Sequence, residues 1–126
     1  MATIHDNALD AGLDYIADNG THLHVVSDGS DPANVTNTLG NVALTTGDGN
    51  GDFTIGNGDT SGRKLTLASQ SITASGTGTA TRWVIWDNSN SVVLACDTIT
   101  SKSLTNGSTY EFPEFDVCEL RDAASE

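Results

Sequence analysis

At 126 residues the chain has the size of one domain built around one hydrophobic core. Seventeen acidic residues against five basic ones give a formal net charge of −12, which repels phosphate backbones and excludes nucleic acid as a direct partner. No window offers the roughly 20 apolar residues of a bilayer crossing, and MATIHDNALD lacks the basic region and apolar run of a secretion signal, so no membrane partner is expected. Synthesis and retention in a cytoplasm follow as the expectation, with Cys96 and Cys118 as free, buried thiols; their spacing makes no zinc motif. The acidity also has a plain reading, since a negative surface keeps a crowded protein in solution.

In chain order, the first element is a helix over about residues 4–18. Ile4, Leu9, Leu13, Ile16 and Ala17 recur at helical spacing, and Asp6, Asp10, Asp14 and Asp18 fall at other angles. Thr3 or Asp6 caps it and Asn19-Gly20 stops it. HLHVVSD, residues 22–28, alternates as a first strand, with Leu23 and Val25 on one face and His22, His24 and Val26 on the other. GSDPANVTNTLG is rich in turn formers and reads as an extended loop with room for one helical turn.

From Asn41 onward, strands alternate with turn chemistry: NVALTT, DFTIG, RKLTLAS, SITASGTGTATRWVIWD, SVVLACDTI and TYEFPEFDVCEL. Asn57-Gly58, Asn88-Ser89-Asn90 and Asn106-Gly107 mark turns between them. Residues 79–99 read as a central hairpin, with Trp83, Trp86, Val92, Leu94 and Cys96 as core contributors. SITASGTGTAT holds almost no large side chain between Ile72 and Trp83, so an exposed or edge strand is expected there. Pro113 cannot donate to a ladder and predicts an edge strand or a bulge. The fold class is therefore mainly β, an antiparallel β-sandwich or small barrel with one N-terminal α-helix, spanning residues 1–126 as a single domain.

GDGNGDFTIGNGD is the strongest candidate for ligand chemistry. Asp48, Asn50, Asp52 and Asp59 fall at positions one, three, five and twelve of a calcium loop, where hard oxygen ligands belong. Position six is Phe53 where the sharp turn needs glycine, position twelve is an Asp in place of the longer Glu, and the flanks read as strands. The competing reading is a turn whose glycines supply positive φ and whose Asp and Asn side chains brace their own backbone, and it is preferred. His22 and His24 share a strand face and, with His5, offer at most a weak metal set. No catalytic motif is present. No nucleophile elbow, Cys-His arrangement or phosphate loop occurs, and the pair Glu111 and Glu114 is what chance supplies in so acidic a chain. Neither an enzyme nor a cofactor is expected.

The order of segments ALDAGLDYIADNGTHLHVVS, LGNVALTTG, DFTIGNGDTSGRKLTLA, GTATRWVIWD and FPEFDVCELRD resembles a group of small virion proteins encoded by tailed bacteriophages, over most of the chain. The resemblance implies a non-enzymatic structural component of a phage particle. Among such roles a capsid decoration, or cement, protein is favoured: a small acidic β domain on the outer face of the shell, bracing the major capsid protein. Homo-oligomers or neighbouring copies on the shell fit that role. Such a protein needs rigidity and exposed arms or edges, so the expected contacts are Ile4, Leu9 and Leu13 through apolar anchoring, and Ser75, Thr77 and Thr79 through strand addition. A tail or neck component uses the same chemistry, and a carbohydrate-binding sandwich with Trp83 or Trp86 stacked on sugars is the alternative of a different class.

Overall fold

Leu9, Leu13 and Ala17 recur at four-residue spacing, and they are the buried stripe of α1, Asp6–Asn19. A computed structural model of the chain describes residues 6–27, 38–59 and 62–120. The helix ends at the expected Asn19, whose side-chain amide donates to the Tyr15 carbonyl (2.8 Å) and satisfies one carbonyl of the last turn. Ile4 and Thr3 lie outside the described residues, as does most of the loop expected from Gly29 onward.

Nine strands follow among the described residues: β1 His22–Val26, β2 Thr38–Ala43, β3 Phe53–Asn57, β4 Arg63–Leu67, β5 Gln70–Ala74, β6 Gly78–Asp87, β7 Val92–Leu104, β8 Thr109–Phe112 and β9 Phe115–Leu120. The expected class holds: the protein is mainly β, with two antiparallel sheets and one helix at the N-terminal end. The chain divides into two compact units, where one domain was expected from length. One unit comprises residues 1–19, 45–68 and 114–126; the other comprises residues 20–44 and 69–113.

In the first unit, a three-stranded sheet of order β3-β4-β9 carries Phe53, Leu65, Leu67 and Val117, and its buried side chains form the core with the stripe of α1. Phe53 stands opposite Leu67, and Ile55 opposite Leu65, so alternation puts all four on one face. Arg63 ties helix to sheet: its Nε donates to Asp10 Oδ1 (2.7 Å) and its Nη1 to Asn57 Oδ1 (2.8 Å).

The second unit is one six-stranded sheet, order β7-β6-β1-β2-β5-β8, open at β7 and β8. Leu23, Val25, Ile72, Ala74, Trp83, Ile85 and Phe112 are its buried residues on the core face. The single run SITASGTGTATRWVIWD is two strands, β5 and β6, broken at Ser75-Gly76-Thr77. Thr73, Ser75, Thr77 and Thr79 are exposed, as one of the two expected alternatives has it, but neither strand is an edge. At Gly40 on β2, a Cβ would lie 2.9 Å from Ile72 Cγ2 and 3.1 Å from the Thr73 carbonyl on β5. Gly40→Ala is therefore expected to destabilise the protein by about 1–3 kcal/mol through overpacking, whereas Gly56→Ala meets open space and stays within about 1 kcal/mol of the parent; thermal melts of the two variants check this.

The hairpin expected over residues 79–99 is present as β6 and β7. The core residues expected on β7 are less enclosed, because among the described residues that strand has a partner on one side only: Val92 is 41% exposed, and Leu94 and Cys96 are half-buried. Trp83 and Trp86 are three residues apart and so face opposite sides of the sheet; Trp83 is buried and Trp86 half-buried. β8, which runs into Pro113, is the edge strand that proline predicts. The turn between β6 and β7 is held by Asp87, 1% exposed, which accepts from the backbone N–H of Ser89 and Asn90 and from the Asn90 side chain. That side-chain bond first, and the two backbone bonds after it, hold its carboxyl below the usual range.

Candidate functional site

The carboxylates of the loop from Gly47 to Asp59 are bonded to nearby backbone and to Lys64. Asp48 Oδ1 accepts from the Ile55 N–H (2.8 Å), and Asp52 Oδ2 from the Thr45 N–H (2.6 Å). Asn50 donates to the Thr46 carbonyl (2.8 Å), and Asp59 pairs with Lys64 Nζ at 2.7 Å. Gly47, Gly49 and Gly51 all have positive φ, as the turn reading requires, and Phe53 is fully buried. The four candidate calcium ligands thus point to separate partners. Among the described residues, no group of three or more His, Cys, Asp or Glu is placed to hold a metal ion. The nearby acidic side chains do repel one another: burial raises the Asp14 pKa, and Asp18, Asp48 and Asp10 add to the rise.

His22 and His24 share a sheet face, as alternation predicts, with ring centroids 6.2 Å apart. His24 is buried. Its Nδ1 lies 2.9 Å from Thr38 Oγ1, and the Thr38 hydroxyl donates its only proton to the Gly40 carbonyl (3.0 Å). The hydroxyl therefore accepts from His24, so Nδ1 carries the proton and Nε2 is bare. The Trp86 ring stands edge-on at 6.5 Å. Burial, and then the neighbouring His22, press the His24 pKa down to about 4. His5 lies outside the described residues.

The residues expected to contact a partner divide three ways. Leu9 and Leu13 lie on the buried stripe of α1, their apolar side chains enclosed in the fold. Ser75, Thr77 and Thr79 are exposed, but the segment is closed to strand addition. The Ser75 N–H donates to the Leu39 carbonyl (2.8 Å), Thr77 Oγ1 accepts from the Asn106 N–H (3.0 Å), and Thr79 stands opposite Ser103. Ile4 is beyond the described residues. Glu111 accepts from Ser71 (3.0 Å) at the β5–β8 pairing, and Glu114 is exposed.

The open backbone is elsewhere, on β7. Thirteen residues long, it pairs among the described residues with β6 alone and exposes most of its side chains. Its outer edge is visible at Thr98, whose N–H turns from the ladder to the carboxylate of Asp97 beside it (2.7 Å). One strand inward, Arg82 stands opposite Thr98, its Nη1 3.7 Å from the Cys96 sulfur, and its buried Nε has no hydrogen-bond partner among the described residues. Sequence reasoning passed over this place. The available signal was an arginine set into the apolar run RWVIW of a chain with five basic residues. Both cysteines are free; Cys118 is half-buried, and burial pushes its thiol pKa up. No protein-family model matches the chain, and no curated protein or solved structure matches it either.

Proposed function

We propose that this chain is a non-enzymatic structural protein of a tailed-phage particle, a capsid decoration protein that binds the outer face of the major capsid protein shell and stabilises it. The observation that carries this reading is β7: a long, open, well-exposed edge on a six-stranded sheet whose inner strands carry buried side chains on both faces. A shell-binding protein works by bracing neighbours, which calls for a stiff scaffold presenting backbone hydrogen-bonding groups. The order of sequence segments supports the phage assignment, and the net charge of −12 suits a protein displayed in many copies without association of free molecules.

Purified protein mixed with expanded, undecorated capsids is expected to co-sediment at a saturating stoichiometry set by the shell lattice, and to raise the temperature at which the shells disrupt. Association with isolated tails and not with shells would replace this reading with a tail or neck component. Association with neither would remove both.

A further inference from the structure

We propose that the free edge of β7 is a strand-addition site for an extended, glutamate-bearing segment of a partner protein, whose carboxylate meets Arg82. This deepens the shell-binding reading, on which the identity of the partner rests; the edge chemistry itself stands on the geometry alone.

The argument begins with how the basic residues are used. Arg63 holds Asp10, and Lys64 holds Asp59 and Asp116 (3.5 Å). Lys102 lies over the Tyr110 ring, 5.7 Å from its centroid. Arg82 is different. In a chain with seventeen acidic residues it meets no carboxylate among the described residues, only a weakly accepting sulfur, and its Nε is buried and unpaired. An unsatisfied buried donor on a cation is costly, and such a group marks a place where a missing acceptor belongs.

Position identifies the acceptor. Arg82 stands opposite Thr98 on the terminal strand of the sheet, so a strand added outside β7 would have a residue on the same face about 10 Å from Arg82, two interstrand spacings away. An arginine and a glutamate span that distance together, and aspartate is one methylene shorter. The strand itself is prepared: the Thr98 N–H points outward and already takes a carboxylate oxygen, that of Asp97, which a partner carbonyl would displace. A second copy of this chain is the poorer occupant. The β7 residues facing Val84 and Arg82 are Cys96 and Thr98, so edge-to-edge self-pairing brings no carboxylate through those positions.

The test needs no shell. A terminally blocked nine-residue peptide of alternating threonine and valine with a central glutamate, and its glutamine twin, are titrated into the labelled full chain and followed by amide and Arg82 Nε–H resonances. The glutamate peptide is expected to shift the β7 amides and the Nε–H together, with the glutamine twin binding at least tenfold more weakly. Thr98→Pro removes the outward donor on an edge strand, where proline is tolerated, and is expected to abolish binding while leaving the β1 and β2 resonances in place. Should that variant misfold, Arg82→Gln serves instead, expected to erase the preference for glutamate over glutamine. Absence of β7 shifts at millimolar peptide, equal binding of the twins, or an unchanged preference in Arg82→Gln would overturn the proposal. Those outcomes leave shell binding to its own experiment, and failure to bind shells leaves the edge chemistry intact.

Discussion

Phe53→Ala is expected to cost about 3–5 kcal/mol of folding free energy, the range for a large aromatic removed from a core that cannot collapse around the void. The side chain is 0% exposed and stands opposite Leu67, which is equally buried, in the unit that also buries Leu13 and Leu65. Thr54 is its exposed neighbour, pointing to the other face of the same strand, and Thr54→Ala is expected to stay within about 0.5 kcal/mol of the parent. Urea unfolding of the two variants makes the comparison. With slopes of about 1–3 kcal/mol per molar, the Phe53 midpoint should fall by at least 1 M or so. A loss under about 1 kcal/mol would mean that the ring is not enclosed. The result also bears on the loop before it, since an enclosed Phe53 is incompatible with the glycine turn of a calcium loop.

Stability should fall as pH drops from 6.5 toward 4, and His24 should be the cause. An unfolded histidine binds a proton near pH 6.5, whereas His24 in the folded protein does so only near 4, because burial and the adjacent His22 oppose the charge. Between these values the unfolded state holds the extra proton. The contribution of His24 is therefore complete above pH 6.5 and is lost progressively down to about 4. At 1.36 kcal/mol per unit the shift sets a ceiling of about 3 kcal/mol, and partial hydration of the ring reduces this to roughly 2. His24→Asn keeps a donor near Thr38 but does not titrate, so its stability should be flat by comparison across the same window. Asp87 acts at lower pH: its carboxyl lies below the usual range, so its contribution is held above pH 3.8 and lost only as pH falls through the depressed value. If parent and His24→Asn respond alike between pH 4 and 6.5, the histidine is not buried neutral. A direct titration of the His24 ring by NMR gives the same answer independently.

Local pattern was enough for the helix and most of the strands. The apolar stripe of α1 and its stop at Asn19-Gly20 are visible because helical spacing and capping chemistry act within a few residues. The loop from Gly47 was legible for the same reason: three glycines with positive φ and side chains bonded to nearby backbone are short-range physics. Strand position was not. Small residues at 73–81 suggest an exposed or an edge strand, and Thr73 and Thr79 are exposed there on interior strands; bulky ones at 92–96 suggest a core, and they lie half-buried or exposed on a terminal strand. β5 is interior, with Gly40 of β2 lying close against Ile72 and Thr73, and β7 is terminal although it reads VVLAC.

By itself the sequence determined the class of the protein: mainly β, acidic, with one N-terminal helix. These follow from composition and from periodicities of two and 3.6 residues, which need no knowledge of distant partners. Tertiary structure alone decided which strand ends the larger sheet, which face receives Trp83 and which Trp86, and that the buried Arg82 Nε, one strand in from that end, has no hydrogen-bond partner among the described residues. The order β7-β6-β1-β2-β5-β8 joins strands far apart in the chain, and no local pattern encodes those pairings. An edge is defined by what fails to pair with it, which becomes known only when every other strand has been placed.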